Sequence, residues 1–97
     1  MHMVGIGETM FKYNPKSNIL LAITDQNEIK IWFYEIRKFQ LQKTVKNEEN
    51  GNYLDYIEVN SESTRVVTAT QNTCFCLWSL NPVTFEISKL QKIEVYL

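Results

Sequence analysis

Residues 27–35 read NEIKIWFYE, and residues 73–81 read TCFCLWSLN. Each stretch is a short run in which apolar residues alternate with others and which closes on a tryptophan, Trp32 in the first and Trp78 in the second. Alternation with a period of two is the signature of a strand with one buried face. The tryptophans lie 46 residues apart, and sliding the chain against itself by 46 aligns much more than these two positions.

The register runs without a gap from Phe11–Val45 against Ile57–Gln91, and six of these 35 pairs are identical: Asn14/Asn60, Ser17/Ser63, Thr24/Thr70, Trp32/Trp78, Phe39/Phe85 and Lys43/Lys89. Apolar character is shared more widely, at Phe11/Ile57, Tyr13/Val59, Leu20/Val66, Leu21/Val67, Ile29/Phe75, Ile31/Leu77 and Leu41/Ile87. A repeat of this length is one supersecondary unit used twice.

Within each unit the reading is β throughout. MFKY and YIEV are short runs rich in aromatic and branched residues, and NPKSN and NSEST carry turn chemistry. ILLAIT and RVVTAT are continuous enough to be strands buried on both faces. A second tight turn, DQN or QNT, leads into EIKIW or CFCLW, and KFQLQKTV or FEISKLQKIEVYL supplies a fourth strand. A helix is the competing reading for FYEIRKFQLQKTVK, where Phe33, Ile36 and Phe39 fall near helical spacing. The matching part of the second unit contains Asn81-Pro82, which would break a helix, so strand is preferred.

Ninety-seven residues make one small domain, able to bury only about 60–65% of its unfolded surface. With 44% hydrophobic and 22% charged residues it is expected to fold. Ten Lys and Arg against eleven Asp and Glu give a net charge of −1, with no electrostatic footprint for nucleic acid or for an anionic membrane. No apolar run approaches the roughly 20 residues of a spanning helix. Cys74 and Cys76 are the only cysteines and His2 the only histidine; a zinc site needs more ligands, so no metal is expected. Two thiols on one strand face fit a reducing compartment, cytoplasm or nucleus.

A four-stranded unit recurring every 40 to 50 residues with tryptophan closing its third strand resembles the WD-repeat β-propeller family. The resemblance covers MFKYNPKSNILLAITDQNEIKIW and NYLDYIEVNSESTRVVTATQNTCFCLW. It implies an all-β fold of two divergent, consecutive, four-stranded antiparallel blades: an N-terminal segment over 1–10, blade one over 11–53 and blade two over 54–97. In well-formed blades of the family a histidine, a serine or threonine, the tryptophan and an aspartate form a buried hydrogen-bonded set. By position these are Val4, Thr24, Trp32 and Gln26 in the first unit, and Asn50, Thr70, Trp78 and Asn72 in the second. The histidine and aspartate are replaced in both units, while Thr24, Thr70 and the two tryptophans keep their types and are read as structural.

A propeller closes with about four to eight blades. Two blades imply either a piece of a longer propeller, one completed by another polypeptide, or one completed by self-association. The resemblance also implies a non-catalytic scaffold that binds protein partners through loops at one end of the blades. Those loops are Asp25, Gln26 and Asn27; Lys46, Asn47, Glu48, Glu49 and Asn50; and Gln71, Asn72 and Thr73. An enzyme is not expected: GIGE at 5–8 lacks the third glycine and the flanking elements of a phosphate loop, and Glu48 and Glu49 are mere neighbours. No cofactor, nucleic acid or membrane is expected. The alternative is a small pleckstrin-homology-like β-domain binding a phosphoinositide or peptide, which requires a C-terminal helix from FEISKLQKIEVYL.

Overall fold

Asn18, Asn27 and Ser63 sit at φ of 61°, 61° and 58°, in the left-handed region that asparagine enters most readily among residues with a side chain. These positions lie in the turns that divide the chain into strands. The computed structural model describes residues 7–47, 53–70 and 74–94. Strands β1 (Glu8–Asn14), β2 (Ile19–Thr24), β3 (Glu28–Glu35) and β4 (Lys38–Lys46) form one sheet in that order. Strands β5 (Leu54–Val59), β6 (Arg65–Thr70), β7 (Cys74–Leu80) and β8 (Ile87–Glu94) form a second. Every neighbouring pair is antiparallel. Each repeat is therefore a four-stranded meander, the form of a propeller blade.

The segment with helical spacing is the β3–β4 hairpin. Its two central residues, Ile36 and Arg37, have φ of 54° and 64° between the paired Glu35 and Lys38, a two-residue turn of the hairpin type with both φ positive. Likewise the segment offered as a capping helix is strand from Ile87 to Glu94, with no helix among its described residues, and the pleckstrin-homology-like reading is not favoured. β1 begins at Glu8, three residues before Phe11, inside the expected N-terminal segment.

The repeat extends to irregularities. In the first sheet the register shifts between Glu8 and Met10, and in the second between Leu54 and Tyr56, so Thr9 and Asp55 are extra residues at the same place in the repeat. A second shift falls just before each tryptophan, at Ile31/Trp32 and Leu77/Trp78. Bulges of this kind bend a strand and redirect its side chains.

The gap-free alignment fails beyond the third strand. Tyr34 pairs with Phe39 but its counterpart Leu80 pairs with Ile87, so the last turn of blade two is two residues longer. Asn81 accounts for the extra length: its side-chain oxygen accepts the N–H groups of Val83 and Thr84 at 2.9 and 3.1 Å, and Pro82 leaves one fewer donor to satisfy. Phe39/Phe85 and Lys43/Lys89 are thus coincidences of sequence rather than equivalent positions.

The core lies between the sheets. Paired residues of an antiparallel ladder share a face, so Leu21, Ile23, Ile29 and Ile31 present one apolar surface of blade one. Ile57, Val66, Cys76 and Trp78 present the opposing surface of blade two, and both sets belong to one buried cluster. Each fully buried Leu or Ile side chain contributes about 1.5–3 kcal/mol of transfer free energy.

Polar groups tie the sheet ends together. The Asn14 side chain donates to the Ser61 carbonyl at 2.8 Å and to Ser63 Oγ at 2.7 Å, and Ser17 Oγ lies 2.7 Å from Ser63 Oγ. Lys12 reaches Glu58 at 3.5 Å, and Lys43 reaches Glu86 at 2.7 Å. The Phe33 and Phe85 rings meet at 5.4 Å between centroids.

Candidate partner-binding surface

At the other end of the sheets, the β2–β3 turn is organised by Thr24. Its hydroxyl accepts the backbone N–H groups of Gln26 and Glu28, both at 3.2 Å, satisfying donors that a tight turn otherwise leaves to solvent. The N–H of Asp25 donates to the Gly7 carbonyl at 2.7 Å. Gly7 has φ of 113°, and a Cβ there would stand 2.9 Å from Asp25 Oδ1. It is the positive φ that favours glycine here, since the exposed Asp25 carboxylate is free to swing aside.

Two residues expected in the partner-facing loops are instead buried. Asn27 is 7% exposed and Asn47 is 3% exposed. Asn27 donates through Nδ2 to the Asn47 carbonyl at 3.0 Å, and its Oδ1 accepts from Asn47 Nδ2 at 3.3 Å and from the Leu54 N–H at 2.9 Å. The physical reason is that Asn47, Leu54 and the β2–β3 turn meet at the seam between the sheets, where buried backbone donors and acceptors need partners. Asp25, Gln26 and Lys46 are exposed. Glu48, Glu49, Asn50, Gln71, Asn72 and Thr73 lie outside the described residues.

The exposed part of this end holds a cleft of about 310 Å³ lined by Thr9, Thr24, Asp25, Tyr53, Leu54 and Asp55. Two carboxylates and two threonine hydroxyls share it with the exposed Tyr53 ring and one buried leucine, and among the described residues no basic side chain lines it. Such a mouth suits a cationic group carried on an apolar stem. Sequence reasoning found Asp25 but missed Thr9, Tyr53, Leu54 and Asp55 as lining residues. Thr9 and Asp55 are the bulge residues, and their common place in the repeat was the one signal available.

The tryptophans are held differently from the expected pattern. Trp78 donates its indole N–H to Thr68 Oγ1 at 2.9 Å, whereas the resemblance placed Thr70 there. Trp78 is paired with Val66, so Thr68 is the next residue of β6 on the same face. Thr70 lies two residues farther on, at the end of β6. Its buried hydroxyl has no hydrogen-bond partner among the described residues. In blade one the position of Thr68 is taken by Ala22, and the buried Trp32 indole N–H lacks a partner among the described residues. Thr24 serves the turn instead of the tryptophan.

Electrostatic perturbations cluster near the first strand of blade two. The Tyr56 hydroxyl donates to Glu58 Oε2 at 2.9 Å. That bond lowers the Glu58 carboxyl below its ordinary value, with smaller help from the Val59 N–H and the Lys12 charge against partial desolvation. The same bond, with the carboxylate's charge, raises the Tyr56 hydroxyl. Among the described residues no group of three or more His, Cys, Asp and Glu is arranged to hold a metal ion.

No protein-family model matches the chain, and no curated protein does. Solved structures do. A protein from Lactobacillus plantarum superposes with a TM-score of 0.78 at 11% identity, over 93% of this chain and 27% of its own. The β-propeller domain of Cps50 (Swd1) from Myceliophteria thermophila superposes with a TM-score of 0.69 at 12% identity, over 91% of this chain and 29% of its own. The chain thus spans less than a third of the length of either structure. Its fold is that of two consecutive β-propeller blades.

Proposed function

We propose that the chain is a two-blade portion of a WD-repeat-like propeller that holds a protein partner and performs no reaction on it. The supporting observation is the acidic, aromatic cleft formed where the β2–β3 turn of one blade meets the first strand of the next. Recognition is commonly carried by loops and strand ends fixed on a rigid scaffold, and Gly7, Thr24 and Asn27 fix this one. The group it suits is a lysine or arginine side chain, its charge between Asp25 and Asp55 and its stem against Tyr53. A cytoplasmic or nuclear location belongs to the same proposal, supported by Cys74 and Cys76, which are buried and unbridged.

Selection of a random peptide display library against the immobilised chain tests this reading. Enrichment of Lys- and Arg-containing peptides, lost with D25N/D55N, is expected. No enrichment, or enrichment that survives the double substitution, overturns it.

A further inference from the structure

The face of blade one that blade two covers has a counterpart still open on blade two. Following the ladders, Met10, Leu21, Ile29, Ile31 and Val45 of the covered face correspond to Tyr56, Val67, Phe75, Leu77 and Ile93. All five remain apolar or aromatic. Leu21, Ile29 and Ile31 are fully buried, whereas Tyr56, Val67, Phe75 and Ile93 are 37–46% exposed. At the other end of the chain the reverse holds along β1. Ile57 of blade two is fully buried against blade one, while its counterpart Phe11 is 48% exposed, and Tyr13, the counterpart of Val59, is 44% exposed; Leu20 and Ala22 beside them, the counterparts of Val66 and Thr68, are already buried within the chain.

The polar groups repeat in the same sense. Asn14 of blade one donates to Ser63 of blade two. Blade two carries the donor again as Asn60, and blade one carries the acceptor again as Ser17. Lys12 pairs with Glu58 across the seam, and the charge of Lys16 acts on Glu62. In each of these pairs the two residues are repeat equivalents, 46 apart, with lysine in blade one and glutamate in blade two.

We propose that the open face of blade two binds the open face of blade one in a second copy of this chain, head to tail, reproducing the interblade seam. Such a contact sets Glu58 and Glu62 of one copy against Lys12 and Lys16 of the next, and Asn60 against Ser17. Two identical blade-two faces packed together would oppose glutamate to glutamate, so charge favours the heterologous arrangement. Heterologous contacts give rings when the rotation closes. Propellers close with about four to eight blades, so roughly two to four copies would suffice. The tie made by Asn27 is not carried over, since the corresponding position 73 is a threonine. The contact is independent of the loop-end cleft, so D25N/D55N leaves it unchanged.

Two measurements on the full chain test the proposal. In sedimentation the wild-type chain is expected at no less than twice the 11.4 kDa chain mass, and V67K/F75K, at exposed positions, at the single-chain mass. Separately purified K16C and E62C chains, also altered only at exposed positions, are then mixed and treated with a short bis-maleimide. A covalent dimer in the mixture, absent from either variant alone, is expected. A wild-type monomer, dimers from one variant alone, or an assembly that survives V67K/F75K would overturn the proposal and assign the face to a different occupant.

Discussion

Trp78 and Thr68 are joined across adjacent strands by a buried indole-to-hydroxyl hydrogen bond of 2.9 Å, and the equivalent pair in blade one, Trp32 and Ala22, has none. Leaving a buried donor without its acceptor costs about 1–3 kcal/mol. T68V, which keeps the shape and removes the acceptor, is expected to lower stability by about that amount. W78F should cost about 1–2 kcal/mol more than W32F, because only the former breaks a made bond. Urea denaturation of the three variants checks this, and equal losses for the two tryptophan substitutions would contradict it.

Asn27 stabilises the seam through its side chain while its backbone occupies the left-handed region. N27G keeps the backbone permissive and removes the bonds to Asn47 and Leu54. A loss of about 2–3 kcal/mol is expected, with faster amide exchange at Leu54. N27A should lose about 1 kcal/mol more, because alanine resists positive φ. Unchanged exchange at Leu54 in N27G would show that the side chain does not carry this tie.

Ile36 is 82% exposed and branched at Cβ, yet it sits at φ of 54° in the β3–β4 turn. It gains little from burial and is strained by its backbone. I36N/R37G places the dipeptide preferred in this turn type and is expected to raise stability by about 1–2 kcal/mol. The thermal midpoint should rise, and a fall would contradict the turn geometry.

Glu58 gives stability a pH dependence of known sign. Its folded pKa lies below the unfolded value, so its contribution is present above the unfolded pKa and is lost as pH falls through the folded one. Tyr56 acts oppositely: its folded pKa lies above the ordinary 10.0, so its contribution is present below that value and is lost as pH rises through the folded one. Both groups are solvent-exposed, so the effects are small. E58Q should flatten the acid side of the stability profile and Y56F the alkaline side. Profiles indistinguishable from wild type in both variants would contradict the assignment.

The strands were legible because their signals are local. Alternation in EIKIW and CFCLW, continuous burial in ILLAIT, and asparagine or proline in the turns each act within a few residues. The features that escaped depend on pairing between strands. Whether Thr68 or Thr70 meets Trp78 is decided by the register of β6 against β7, and both threonines lie on the same face. The longer last turn of blade two left the identities Phe39/Phe85 and Lys43/Lys89 looking like equivalence. Asn27 read as an exposed turn residue because a polar side chain in a turn gives no local sign that another segment will pass over it. Thr9 and Asp55 entered the cleft through bulges, which these residue types do not announce.

Two four-stranded blades packed face to face make up the described fold, and nuclear Overhauser contacts across their seam test that packing most directly. Contacts between the Phe33 and Phe85 ring protons, and between the Leu54 amide and the Asn27 side-chain amide, are predicted alongside antiparallel contacts within each sheet. Antiparallel contacts within the sheets with none across the seam, or a helical pattern over residues 87–94, would contradict the account.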